Sequence, residues 1–121
     1  MDKNNYNWLR INETDSIASN FLKSNEVKAV IIEGSRYCLG KIDNRYYALK
    51  DRCPHAGASL GTGWCDNSGN VVCPVHRIAF DLKTGKNTSG EGYYALSYPV
   101  EIEENTLYIG IEKKKWFQFW R

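Results

Sequence analysis

Apolar residues along this chain fall in short runs, and pairs of turn-forming residues separate the runs. Residues 27–32 are a largely β-branched run ended by Glu33-Gly34-Ser35. Residues 37–42 follow, then Asp43-Asn44, then residues 45–49. Runs of this length with such short breaks predict a meander of three antiparallel strands. Residues 7–11 predict a short first strand. Residues 98–103 and 106–111, parted by Glu104-Asn105, predict a closing hairpin. In between, residues 60–65, 70–72 and 78–82 read as extended. Asp66-Asn67-Ser68-Gly69 and Lys83-Thr84-Gly85 read as the turns that join them. Helical spacing occurs once. Asp15-Ser16 precedes Ile17, Phe21 and Leu22, which predicts one or two turns of helix behind a polar cap. The pattern defines an all-β chain of about nine short strands with at most one short helix.

Length and composition narrow this picture. A chain of 121 residues is one domain with room for a modest core. Eight Tyr and four Trp, with few helix-favouring runs, agree with the β reading. Sixteen basic against fourteen acidic residues give a net charge of +2, too balanced to argue for nucleic acid. The N-terminal residues 1–5 are polar, and no apolar stretch is long enough for a transmembrane segment. The expectation is a cytoplasmic protein. Cys38 and Cys65 then read as buried thiols rather than a disulfide. The expected organisation is a single domain over residues 1–112 and a basic-aromatic tail over 113–121. That tail has three readings: a flap over exposed apolar surface, a docking or dimer segment, or a weak membrane-surface anchor.

The chemistry is concentrated in residues 53–76. Cys53-Pro54-His55 opens this stretch and Cys73-Pro74-Val75-His76 closes it, with seventeen residues between the halves. The chain has two histidines, and both lie in this motif. Each half supplies one sulfur and one nitrogen. A two-iron cluster can then take both thiolates on one iron and both imidazoles on the other, the ligand set of a Rieske [2Fe-2S] centre. Two Cys and two His also make a tetrahedral zinc set, although zinc modules usually keep the Cys together and the His together. Proline after each Cys fixes φ and removes a donor, shaping each loop so that neighbouring N–H groups can point at the sulfurs.

With both half-motifs, their order and their spacing, the chain resembles the Rieske family over roughly residues 7–111. Gly57, Phe80-Asp81 and Thr84-Gly85 add to the likeness. The resemblance implies a two-layered β fold with a small cluster-binding subdomain, whose loops occupy about residues 51–80. It implies one [2Fe-2S] cluster per chain, with Cys53 and Cys73 on a buried iron and His55 and His76 on an outer one. A third loop flanks the cluster in this family, and residues 86–92, read as a flexible polar loop, are the candidate.

The departures from the family are informative. High-potential members tie the two loops with a disulfide, and this chain has Ala58 and Val75 at those positions. They also place a Ser and a Tyr where this chain has Ile78 and Phe80. The resemblance is therefore to the low-potential ferredoxin type. Arg77 stands where many oxygenase-linked domains have Gly, which is closer to the small subunit of NAD(P)H-dependent nitrite reductases.

The expected function is a one-electron carrier between a flavin reductase and a terminal oxygenase or reductase. A subunit of a nitrite reductase and a zinc-binding interaction module are the alternatives. Catalysis by the chain alone is not expected. A mononuclear iron needs two further histidines and a carboxylate, and no Gly-rich dinucleotide loop is present.

Overall fold

The computed structural model describes residues 5–11, 21–54, 57–75, 77–90 and 92–113. These form ten strands: β1 (Tyr6–Arg10), β2 (Glu26–Ile32), β3 (Ser35–Ile42), β4 (Arg45–Lys50), β5 (Trp64–Cys65), β6 (Asn70–Val72), β7 (Ala79–Asp81), β8 (Ser97–Tyr98), β9 (Val100–Glu103) and β10 (Thr106–Glu112). They assemble into three antiparallel sheets, ordered β1-β10-β9, β2-β3-β4-β8 and β5-β6-β7. A 3-10 turn spans Leu60–Thr62, and no helix among the described residues is long and apolar enough to cross a membrane. The expected helix near residue 17 falls mostly outside the described residues. Its last apolar position, Leu22, is buried, and its N–H donates to the Tyr46 hydroxyl at 3.1 Å.

The central sheet separates two cores, because alternate residues of a strand point to opposite faces. Tyr37 and Leu39 of β3, with Tyr46 and Ala48 of β4, face Leu107 and Ile109 of β10. Cys38 of β3 and Leu49 of β4 face the other way, onto Val71 of β6 and Phe80 of β7. Both faces of β3 are covered, so residues 37–41 are buried in succession. The expected reading of Cys38 as a packed thiol holds. Burial keeps it protonated far above its ordinary range. The Cys65 thiol is pushed up to about 11, first by burial and then by Asp66 and Glu26.

The expected meander is β2-β3-β4, closed at Ile32↔Ser35 and Ile42↔Arg45. Two expectations need correction. Residues 98–103 do not form one strand. Pro99 has no N–H to give a ladder, and the chain changes sheet there: Tyr98 pairs with Ala48 of the central sheet, while Val100 pairs with Ile109 of the outer one. Residues 60–65 are not extended throughout. The 3-10 turn comes first, closed by Gly63 N–H donating to the Leu60 carbonyl at 3.0 Å, and Gly61 within it lies so close to the backbone of Ala29 that a side chain there would collide with it.

Candidate metal centre

The two ligand loops are built alike. Cys53 N–H donates to the Ala58 carbonyl at 2.8 Å, and Cys73 N–H donates to the Ile78 carbonyl at 2.8 Å. Each bond reaches five residues forward and closes its loop at the base. Four residues after each Cys the backbone enters the left-handed region: φ is +73° at Gly57 and +56° at Arg77. Gly57 adopts this at no steric cost. Arg77, its counterpart, carries a Cβ into it, at about 1 kcal/mol. Arg77→Gly is therefore expected to raise the melting temperature by roughly 3–5 °C, since 1 kcal/mol moves a domain of this size by about that much. A thermal melt of the holoprotein checks this, and a lowered midpoint would show that the arginine side chain contributes more than its strain costs.

The short sheet β5-β6-β7 holds the loops in place. β6 runs directly into Cys73, and β7 receives the chain soon after Ile78. The expected turn at residues 66–69 is tied by Asp66, whose carboxylate accepts from the N–H groups of Ser68 and Asn70 at 2.8 and 3.0 Å. So the stretch between the two half-motifs doubles back, and the two cysteines come together.

Cys53 and Cys73 are both buried and both free thiols. Their side chains are neighbours, and the Val75 N–H faces the Cys73 sulfur. Burial pushes the Cys73 thiol up, the Val75 N–H opposes this, and neighbouring Cys53 adds to the rise. Two buried sulfurs side by side can both be donors to one cation. This donor pair fits one iron of a cluster. His55 and His76 belong to the same two loops by sequence, and both lie outside the described residues.

The site includes two residues that the sequence reading did not single out. Asp51 is 4% exposed; it accepts from Ser59 Oγ at 2.6 Å and from Gly61 N–H at 2.7 Å, and pairs with Arg36 at 3.3 Å. It fixes the entry to the first loop two residues before Cys53. Its signal in the sequence was a carboxylate two residues ahead of the motif. The other is Asn87. The expected flexible loop at 86–92 is in fact pinned at its start, with Asn87 buried and its Nδ2 donating to the Ala79 carbonyl at 3.0 Å. Ser89 Oγ accepts from Ala79 N–H at 3.1 Å, and Gly92 N–H donates to Asn87 Oδ1 at 3.0 Å. The third loop thus lies along β7, next to the second ligand loop.

A small antiparallel β subdomain presenting two matched Cys-Pro loops defines an iron–sulfur domain. The family model of the Rieske [2Fe-2S] domain matches residues 7–97. The chain belongs to this family and carries one [2Fe-2S] cluster. It is 36% identical over 74 residues to the 3-phenylpropionate/cinnamic acid dioxygenase ferredoxin subunit of Shigella flexneri, a match covering 60% of this chain and 70% of that one. In fold it is similar to a chain in the complex of reduced oxygenase and oxidized ferredoxin in carbazole 1,9a-dioxygenase. There the TM-score is 0.76 and the identity 27%, over 89% of this chain and 96% of the other. It also shares its fold with a candidate NADH-dependent nitrite reductase small subunit from Mycobacterium tuberculosis: TM-score 0.75, 21% identity, over 90% of this chain and 98% of the other.

Proposed function

We propose that this chain is a Rieske-type ferredoxin, taking one electron from a flavin reductase and passing it to a terminal oxygenase. Cys53 and Cys73 hold one iron of the cluster, and His55 and His76 hold the other. The observation that carries this reading is the pair of matched loops, each beginning with a buried free cysteine and each holding one of the chain's two histidines. The likeness to dioxygenase ferredoxin subunits supports the choice of acceptor. The chain acts as a carrier and not as a catalyst. Its histidines are committed to the cluster, which leaves none for a second metal. A cytoplasmic setting suits its free thiols.

When bound, the cluster supplies a reversible one-electron change, and no covalent bond is made or broken. The residues of the chain hold it and set its energy. Cys53 and Cys73 place their sulfurs in the inner core, away from water. The Val75 N–H stabilises charge on the Cys73 sulfur. Ile78 and Phe80 pack behind the loops, 3% and 0% exposed, and offer no hydroxyl to the cluster. Fewer donors leave the reduced, more negative state less stabilised.

The test is analytical and electrochemical. Purified protein is expected to be red-brown, with about two irons and two sulfides per chain, and a potential of roughly −150 to −50 mV. Colourless protein with stoichiometric zinc after anaerobic reconstitution would overturn the reading. A potential above about +100 mV would show that backbone donors or burial outweigh the missing hydroxyls. A second reading, the small subunit of a nitrite reductase, is favoured by Arg77 after the second His and by the shared fold. Stable co-purification with a large reductase subunit from the native host would establish it.

A further inference from the structure

The end of the protein from which the ligand loops emerge carries an unbalanced group of cations. β4 ends at Lys50, and Asp51-Arg52 leads straight into Cys53. An open groove of about 420 Å³ lies here, lined by Arg36, Lys50, Asp51, Arg52, Gly57 and Tyr98 among others. Because Gly57 forms part of its wall, the groove abuts the first ligand loop. Its one carboxylate, Asp51, has a side chain that is 0% exposed and occupied by Arg36, Ser59 and Gly61. Lys50 and Arg52 are exposed, and so is Arg77 on the second loop. Among the described residues of the two ligand loops and their leads, none is an exposed acid. Glu91 of the third loop lies outside the described residues.

One exposed acid, Glu33 in the turn before groove-lining Ser35, shares this end against Lys50, Arg52 and Arg77, and most other exposed acids lie elsewhere. Glu101 lines a separate groove with Arg45, at the opposite end of β4, and Glu103 and Glu104 follow along β9 and its turn. Six residues of strand separate these ends by roughly 17 Å. That is about twice the screening length at physiological salt. The hairpin carboxylates therefore do not cancel the cations at the cluster end. Exposed apolar residues complete that end: Val75 of the second loop is 40% exposed, and Leu96, whose carbonyl accepts from Lys50 N–H at 2.8 Å, is 61% exposed. Apolar contacts rimmed by charge are the usual anatomy of a protein interface.

We propose that this end docks a carboxylate-rich face of the protein partner that exchanges the electron. Lys50 and Arg52 receive its acidic side chains in the groove, Arg77 does so on the second loop, and Val75 and Leu96 supply the apolar contact. The inference rests on the carrier reading and adds the partner's chemistry to it. Its opposite charge would steer encounter toward the end nearest the cluster, where the path for the electron is shortest.

The experiment uses the reduced holoprotein and two one-electron oxidants of opposite charge, anionic ferricyanide and cationic tris(phenanthroline)cobalt(III). In each case one electron leaves the cluster and reduces the metal complex. In stopped flow, ferricyanide is expected to react about tenfold faster at low salt than at high salt, with the opposite trend for the cobalt complex. Polyglutamate, as a stand-in for an acidic face, is expected to slow ferricyanide. Lys50→Glu with Arg52→Glu should lower the ferricyanide rate about tenfold and remove the polyglutamate effect. Arg77→Gly, which relieves strain as it removes charge, should lower the rate about two- to threefold. If both oxidants react without salt dependence, or if the charge variants match the native protein, the docking proposal is overturned while the carrier reading stands. If the protein holds no iron, or passes no electron to either complex, both are overturned.

Discussion

Cys73→Ser is expected to strip the protein of its cluster, with iron and sulfide falling from about two per chain to near none. The reason is local. Cys73 is fully buried, lies beside Cys53, and faces the Val75 N–H. A serine oxygen is smaller and harder than sulfur, and the closed loop base, held by Cys73 N–H to Ile78, does not let the residue advance to compensate. The inner core contains Cys53 and Cys73 together with Leu60, Val71, Ile78 and Phe80. Losing the metal there removes a cross-link between two loops, so the melting temperature should fall along with the colour. His76→Ala is expected to lose the cluster as well, since the chain holds no other histidine to replace it. Cys65→Ser is the control, because Cys65 belongs to β5 and not to a ligand loop. Metal analysis, the visible spectrum and a thermal melt decide between these cases. A red-brown Cys73→Ser protein with full iron would remove Cys73 from the ligand set.

The parts of this architecture legible in the sequence were those fixed by neighbouring residues. Glu33-Gly34 and Glu104-Asn105 marked two-residue hairpins, and both turn through positive φ at each position. Asp66 marked a turn that its own side chain ties. The Cys-Pro repeat marked two loops of one design. What the sequence left hidden depends on contacts across the fold. Pro99 could be read as a flaw in a strand but not as a change of sheet, because that depends on where β4 and β10 lie. Gly61 read as one position of an extended run until Ala29 was seen against it. Asn87 looked like one more polar residue in a soft loop, and its burial follows from the carbonyl of Ala79 beside it. Arg77 was visible as a departure from the family. Its positive φ, and its equivalence to Gly57, emerge only when the two loops are compared in space.

Asp51→Ala is expected to cost about 3 kcal/mol, more than any surface change near the site. The carboxylate accepts from Ser59 Oγ and from Gly61 N–H, and each bond to a charged acceptor contributes roughly 1.5–3 kcal/mol. Arg36 adds little, because its side chain is 56% exposed and returns to water when its partner is lost. Gly61 is the group that cannot adapt. It is pressed against the backbone of Ala29, so its N–H stays where the carboxylate was. For a domain of this size, about 3 kcal/mol lowers the melting temperature by roughly 10 °C. The cluster should feel the change too. Asp51 stands two residues before Cys53, and without it the first loop loses its tie to the 3-10 turn. Iron should then pass to a chelator several times faster than from the native protein. Asp51→Asn keeps an oxygen for Gly61 and an amide that can donate to Ser59, so it is expected to cost about 1 kcal/mol and to hold its iron nearly as well. Differential scanning calorimetry and chelator-driven bleaching of the visible band measure the two effects. An Asp51→Ala protein that melts within about 2 °C of the native one and bleaches at the same rate would show that the first ligand loop is held by its own closing bonds, from Cys53 to Ala58 and from Gly57 back to Cys53.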